Sequence, residues 1–563
     1  MARTVGIGIQ EFAKIREHNY FYIDKTAFIK EWWESGDDTT LITRPRRFGK
    51  TLNMSMLEAF FSVDYADRGD LFEGLSIWEE ETYRSLQGTY PVISLSFANI
   101  KESDYETTCY RIRQILMKQY KKYDFLKECS VLSEGEIKYY EQMTYEMSEK
   151  DAPMALYQLS DYLHRYYGKK VIILLDEYDT SMQEAYVHGY WEKLVSFTRS
   201  MFNSTFKTNP WLERGVMTGI TRVSRESIFS DLNHLKVVTT TSGEYAASFG
   251  FTEEEVFAAL EEYGLSGEKE KVKYWYDGFI FGKHGGIYNP WSIINFLDTK
   301  KYDVYWANTS SNSLVGKLIR EGDGQMKQSF ESLLKGKSLK CPIDEQIVYN
   351  QLTGNETAIW SLLVASGYLK VIDYEALETV GSRQPLYELA LTNFEVDCMF
   401  HNMVRDWFVS VRPVYNDFIK SMLIGDLDAM NDYMNEITME IFSYFDVGSK
   451  SMRSQVEKFY HGFVLGLLVD LKERYYITSN RESGFGRYDV VLEPKKQQDI
   501  ALILEFKALN GRREKTLEET LESALKQIEE KQYEASLIAR GIPVERIRKY
   551  GFAFEGKKVL IGP

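Results

Sequence analysis

The sequence predicts an α/β protein with a parallel sheet at its N-terminus, a helical middle and a small mixed α/β domain at its C-terminus. Three observations carry that expectation. Before residue 245, the apolar runs TTLIT, PVISLSF, VIILLDE, RGVMTGI and LKVVTTT alternate with helix-length amphipathic stretches, the pattern of strands buried on both faces beneath crossover helices. From about 251 the spacing turns mostly helical, opening with FTEEEVFAALEEYG, in which Thr252 and Glu255 form a capping box. After Ser451 a long helix, three strands, a helix from about Leu517 and the short strands KYGFAFEG and KKVLIG restore a mixed pattern. The divisions that follow are 1–250, 251–445 and 446–563.

The 563 residues, 44% hydrophobic and 14% aromatic, exceed what one core organises, so two or three folded domains are expected. The net charge of -15 excludes a generally basic nucleic-acid coat. Charge is uneven: the last 123 residues carry 21 Lys+Arg and 18 Asp+Glu, leaving +3 there and -18 over the first 440. Only the C-terminal segment tolerates a polyanion. Cys109, Cys129, Cys341 and Cys398 lie far apart with no metal-ligand spacing, which argues for a reducing compartment and against a disulfide framework. MARTVGIGIQEFAKI lacks a signal-peptide core, and the apolar run FVLGLLV is too short to span a bilayer. The expectation is a soluble, cytoplasmic protein.

After TTLIT comes RPRRFGKT, whose Gly49, Lys50 and Thr51 match the end of a phosphate-binding loop, GxxxxGK[ST]. Such a loop turns N–H groups around phosphates, extends a lysine to the outer phosphates and offers a hydroxyl to magnesium. Arg44 stands where the first glycine is expected. That position tolerates a side chain if its φ is negative, whereas the glycine before the lysine lies closest to the phosphates. The loop residues taken as nucleotide contacts are Arg47, Phe48, Gly49, Lys50 and Thr51; the alternative is a basic turn entering a helix.

VIILLDEYD is an apolar strand ending in Asp176 and Glu177. The aspartate would orient Mg²⁺ together with Thr51, and the glutamate would polarise an attacking water; the alternative is a pair of carboxylates capping a helix. The later strand RGVMTGITRVSRE ends in Thr221, Arg222 and Arg225, at the strand edge where open α/β sheets bind ligands. Thr221 would sense a γ-phosphate. Arg222 or Arg225 would stabilise transition-state charge, in cis or from a neighbouring subunit, unless the segment is a solvated basic loop.

Near the C-terminus, RYDVVLE and ALILEFKAL bring a second set of charged residues. Along a strand Glu505 and Lys507 share one face and Leu504 and Phe506 the other. If the strands pair, Asp489, Glu505 and Lys507 meet. Two carboxylates there suit a divalent cation, Mg²⁺ or Mn²⁺, and the lysine can orient water. Upstream, Glu457 on a helix is a candidate third ligand with His461 on the same side, and Gln527, Lys531 and Tyr533 lie on the helix that follows. Charges in an otherwise apolar strand need partners or a role.

Together YFYIDKT, RPRRFGKTLNMSML, LLDEYD, TGITRVSRESIFSDLNHL, WYDGF and YNPWS resemble the bacterial AAA-ATPase-like family with a C-terminal PD-(D/E)XK nuclease-like domain. The likeness covers nearly the whole chain, least distinctly between 298 and 445. It implies a P-loop ATPase of the additional-strand type, a helical lid after the core, Arg-Pro-Arg-Arg as a usual loop form and Pro290 as a lid contact to the base. It also implies Asp489, Glu505 and Lys507 as the nuclease signature, with Tyr488 replacing the usual proline.

Two functions are expected to compete. In the first, ATP at Lys50, Asp176 and Glu177 controls an Mg²⁺-dependent nuclease acting on DNA or RNA through Asp489, Glu505 and Lys507, within one chain or a homo-oligomer. In the second, ATP drives a switch whose nuclease-like domain binds nucleic acid or protein without cutting. A metabolic kinase leaves the C-terminal constellation unexplained, and no base-reading motif is evident.

Overall fold

Five parallel strands form the N-terminal sheet: β1 (Thr39–Thr43), β2 (Val92–Ser96), β3 (Val171–Asp176), β4 (Leu212–Gly219) and β5 (Leu235–Val238), in the order β2-β3-β4-β1-β5. The computed structural model describes residues 2–563 apart from 223–228, 230–233, 308–312, 322–323, 345–351, 353–354, 376–384, 408–411, 442–459, 461–463, 466–467, 469–470, 473, 480–481, 484–485, 488, 497, 512–513 and 557. Every residue of β1 and β3 is buried, as in a parallel sheet covered on both faces. Insertion of β4 between β1 and β3 pairs Thr43 with Gly219 and Leu175 with Met217. The C-terminal ends of these three strands are therefore adjacent, and the candidate nucleotide residues leave the sheet side by side.

Helix α1 (Lys50–Phe61) covers one face, packing Leu57 and Phe60 with Ile42, Ile172, Leu174 and Val216. Along the β2 edge, Gln119 of α2 (Tyr105–Lys122) donates to the Ser94 carbonyl at 2.8 Å and the Tyr123 hydroxyl to the Val92 carbonyl at 2.7 Å. Side chains thus occupy acceptors that an edge strand otherwise exposes.

Helix α3 (Glu253–Glu262) opens with the expected capping box: Thr252 Oγ1 accepts from the Glu255 amide at 3.3 Å, and Glu255 accepts from the Thr252 amide at 2.7 Å. Lys25 Nζ reaches both Glu255 oxygens, at 2.7 and 2.6 Å. The motif YFYIDKT is thereby fastened to the first turn of the lid. Helices α4 (Lys269–Tyr276) and α5 (Pro290–Thr299) complete a core of Val256, Leu260, Val272, Tyr276, Ile293 and Phe296.

The middle region also holds two antiparallel sheets that its helical pattern does not announce. One joins β6 (Phe251–Thr252), β7 (Asp277–Phe281) and β8 (His284–Tyr288) in the order β6-β8-β7; the other joins β9 (Leu339–Cys341), β10 (Leu369–Glu375) and β11 (Leu386–Leu391) in the order β10-β11-β9, with α6 (Glu356–Ala365) preceding β10. Most of these strands are of five residues or fewer, and β8 is glycine-punctuated, so a helix-length window averages them away.

Packing divides the chain into two compact units: Met1–Leu318 with Leu333–Met399, and Ile319–Ser332 with Phe400–Pro563. The second unit contains a five-stranded sheet of β12 (Tyr475–Ser479), β15 (Val490–Pro494), β16 (Ala501–Ala508), β17 (Ile547–Glu555) and β18 (Lys558–Gly562), in that order, beside a two-stranded ribbon of β13 (Glu482–Ser483) and β14 (Gly486–Arg487). Within the larger sheet only β16 and β17 run parallel. One face packs Leu502, Leu504, Phe506 and Phe552 with Phe418 of α7 (Arg412–Ile424) and Tyr433 and Met434 of α8 (Leu427–Ile441). The residues 412–441, grouped with the middle region by pattern, therefore contribute to the core of the C-terminal sheet. Among the described residues no helix is long and apolar enough to cross a membrane.

The edge of β18 is closed by two amides one helical turn apart. Asn431 donates to the Ile561 carbonyl at 2.9 Å and accepts from its amide at 2.7 Å; Asn435 does the same for Val559 at 2.8 and 2.9 Å. The i, i+4 spacing of α8 matches the two-residue repeat of outward-facing strand groups. Replacing both asparagines by alanine is expected to destabilise this unit by roughly 2–4 kcal/mol in urea unfolding. A change below about 0.5 kcal/mol would contradict a structural role for the amides.

Candidate functional site

Residues 44–49 link β1 to α1. Gly49 has φ 79° and Arg47 φ 65°, left-handed values that cost an arginine about 1–2 kcal/mol. Arg44 adopts the role of a strut. Its fully buried guanidinium donates to the carbonyls of Thr43 at 3.0 Å, Thr239 at 2.6 Å and Glu244 at 2.9 Å, and lies 4.4 Å from the Phe281 ring centroid. Burial pulls its pKa down to about 9, opposed by Glu244 and Glu31. A side chain at this position is thus directed into the protein.

Lys50 is buried and its Nζ donates to the carbonyls of Arg44 and Pro45, at 3.0 and 2.9 Å. Burial lowers its pKa, opposed by Glu177 and Asp176. Thr51 Oγ1 donates to Asp176 Oδ2 at 2.6 Å, and the Thr218 hydroxyl donates to Asp176 Oδ1. Desolvation raises the pKa of this carboxyl against those two hydroxyls. Strand order produces the arrangement: Thr51 begins α1, Asp176 ends β3 and Thr218 lies on β4 between them.

Glu177 follows with φ 51° and accepts from Thr180 Oγ1 at 3.1 Å. Beyond it the end of LLDEYD interlocks with TGITR. Asp179 accepts from the Thr221 amide and hydroxyl, both at 2.8 Å, while the Tyr178 hydroxyl donates to the Thr221 carbonyl at 2.7 Å. A Cβ at Gly219 would come within 2.6 Å of Tyr178, so this close approach requires glycine. Thr221 is fully buried, and its hydroxyl serves Asp179. The hydroxyl beside Asp176 is that of Thr218. Arg222 is half-buried at the strand exit, and Arg225 lies outside the described residues.

Phe48, expected among the nucleotide contacts, gives its ring to the core at 4.7 Å from Phe279 and 5.5 Å from Phe281. The Arg47 guanidinium stacks 4.4 Å from Trp291. Pro290 is the first residue of α5 and is buried. Asp179, Thr218 and Asn289 were not singled out from sequence, although each lies within a quoted motif or strand. Their polar side chains in apolar runs are the available signal.

Ser292 of the same motif meets a buried acid from the helix Phe394–Trp407. Glu395 accepts from Ser292 Oγ of α5 at 2.7 Å and from the Trp306 amide at 2.6 Å.

In the second unit the pairing of Val490 with Leu504 continues to set Asp489 beside Glu505. Asp489 Oδ2 accepts from the Phe506 amide at 2.8 Å. Glu505 is buried and accepts from Gln527 of α9 (Leu517–Glu530), whose amide also donates to the Tyr533 hydroxyl at 3.1 Å. Lys507 Nζ is held by the Ser523 carbonyl and hydroxyl, both at 3.0 Å. The register therefore sets Asp489 beside Glu505, and Lys507 lies two residues further along β16 on the Glu505 face. Glu457 and His461 lie outside the described residues. Among the described residues no group of three or more His, Cys, Asp or Glu could hold a metal, so Asp489 and Glu505 are the pair available.

The chain joins two known domain types. Residues 6–229 match the family model of a predicted AAA-ATPase, and residues 455–562 match that of the PD-(D/E)XK nuclease superfamily. It is 24% identical over 398 residues, 70% of this chain and 68% of the relative, to an uncharacterized protein in the vnfD 5′ region of Azotobacter chroococcum mcd 1. A solved Signal Transduction ATPase with Numerous Domains, carrying a tetratricopeptide repeat sensor, from Pyrococcus horikoshii, aligns at 12% identity and TM-score 0.23. That alignment covers 79% of this chain and 53% of the solved one.

Burial raises the Glu395 pKa to about 7 from an ordinary 4.5, opposed by Ser292 and the amides of residues 305–307. Between those values the folded state keeps a proton that the unfolded state has released. Stability is therefore expected to fall as pH rises through this window, by on the order of 3 kcal/mol at most. Urea unfolding at about pH 5 and about pH 8 checks the sign, and Glu395→Gln should flatten the slope. Equal slopes in the two proteins would contradict it.

Proposed function

We propose that this chain is an ATP-binding and ATP-hydrolysing protein whose nucleotide state controls an Mg²⁺-dependent nuclease in its C-terminal unit. The observation that supports the nuclease reading is the strand register, which sets Asp489, just before β15, beside Glu505 of β16, with Lys507 two residues along the same face. The donor set is all oxygen, which suits a hard divalent cation. Such a cation supplies charge screening of a phosphodiester. Asp489 and Glu505 would hold it, and Lys507, fixed by Ser523, would orient the attacking water. Nucleic acid is the proposed partner of this unit.

At the N-terminal sheet, Lys50 would exchange two carbonyl acceptors for phosphate oxygens. Thr51 and Asp176 are the pair for a nucleotide-bound Mg²⁺, and Glu177 stands next to them to accept a proton from water. Arg222 and Arg225 would compensate γ-phosphate charge, within one chain or across a homo-oligomer. A second reading, an ATP-driven switch with an inactive nuclease fold, is favoured by one observation: Asp489 and Glu505 already accept hydrogen bonds from Phe506 and Gln527.

One incubation series separates the two readings. With Mg²⁺ and ATP over single- and double-stranded DNA and RNA, Lys507→Ala is expected to slow cleavage by on the order of 10²–10⁴-fold. Lys50→Ala should leave cleavage that no longer responds to ATP. A Lys507→Ala protein that cuts as fast as the wild type would end the nuclease assignment, and uncut substrates with tight, salt-sensitive binding would favour the switch.

A further inference from the structure

The motif YNPWS grips the phosphate loop. Asn289 performs two tasks with one side chain: its Oδ1 accepts from the Trp291 amide at 2.9 Å, capping α5, and its Nδ2 donates to the Arg46 carbonyl at 3.2 Å. Trp291, one residue into the helix beyond Pro290, carries the Arg47 guanidinium on its ring at 4.4 Å. The start of the lid helix therefore holds the Arg46 carbonyl and the Arg47 side chain.

In a trans peptide the C=O and N–H groups point in opposite directions. An Arg46 carbonyl held by Asn289 sends the Arg47 amide the other way. The next outward carbonyl follows the same rule: the Gly250 amide donates to the Phe48 carbonyl at 3.3 Å, which turns the Gly49 amide away from Gly250. Left-handed φ values at residues 47 and 49 produce this alternation, the geometry in which successive amides form an anion-binding concavity. A loop with a single glycine needs outside help to keep it, because Arg47 adopts its left-handed φ at a cost. The stacking on Trp291 offsets that cost.

We infer that Asn289 is a positioning residue of the phosphate site, which turns the Arg47 amide toward a bound phosphate, and that Trp291 secures it by holding the Arg47 side chain. The inference rests on the ATP-binding reading above. It makes the lid a part of the phosphate cradle, so that loss of the Asn289 contact alone costs affinity for phosphates rather than for the base.

Asn289→Ser tests this in the full chain. Serine caps a helix nearly as well as asparagine and is uncharged, yet it is too short to reach the Arg46 carbonyl. Competition against a fluorescent ATP analogue should show ATP affinity reduced about tenfold, adenosine affinity unchanged and the unfolding temperature unchanged. Trp291→Leu should show the same split between ATP and adenosine. An Asn289→Ser protein that binds ATP like the wild type, or that loses ATP and adenosine equally, would overturn the inference. A wild-type protein that fails to bind ATP would instead remove the reading on which it rests.

Discussion

The conformation of residues 44–50 is the constraint on which the nucleotide site depends, and a buried guanidinium fixes it. Arg44 is fully enclosed, and its two terminal nitrogens donate to three backbone carbonyls. A buried cation without such acceptors would carry a desolvation penalty of several kcal/mol. Its position is therefore strongly determined. By tying the exit of β1 to residues 239 and 244, it commits the chain to a turn in which Lys50 folds back over the carbonyls of Arg44 and Pro45. A glycine there would leave the same turn free to move.

The remaining side chains of the loop act as anchors too. Phe48 enters the aromatic cluster of Phe279 and Phe281, Arg47 stacks on Trp291, and Arg46 reaches Gln183 at 3.3 Å. A glycine-rich loop has no side chains to place; this one packs Arg44 and Phe48 into the surrounding protein and Arg47 onto Trp291. Strand order supplies the other half of the site. With β4 between β1 and β3, Thr51 and Thr218 bracket Asp176, and Asp179 binds the segment that leaves β4. In the C-terminal sheet the same logic of adjacent strand ends brings Asp489 beside Glu505.

Much of this was legible in sequence because it depends on local rules. Continuous apolar runs located β1 and β3, the capping box located α3, and strand alternation put Glu505 and Lys507 on one face. What was not legible depends on contacts distant in sequence. Thr221 looked like a phosphate sensor because it ends a strand at the ligand edge; only the packing of Asp179 shows where its hydroxyl goes. Phe48 looked like a loop contact because proximity to Gly49 says nothing about the direction of a ring. Asn289 lies more than two hundred residues from Arg46, and no periodicity links them. The sheets β6-β8-β7 and β10-β11-β9 escaped for a different reason, since strands so short have no period of their own.

The central claim is that a loop with arginine in place of its first glycine forms a working phosphate cradle. Calorimetric titration of ATP into the full chain with Mg²⁺ tests it most directly, with Lys50→Ala as the comparison. The structure predicts saturable binding of one ATP per chain, weakened roughly 10- to 100-fold when the lysine is removed. Equal affinity in the two proteins, or no binding to either, would contradict it.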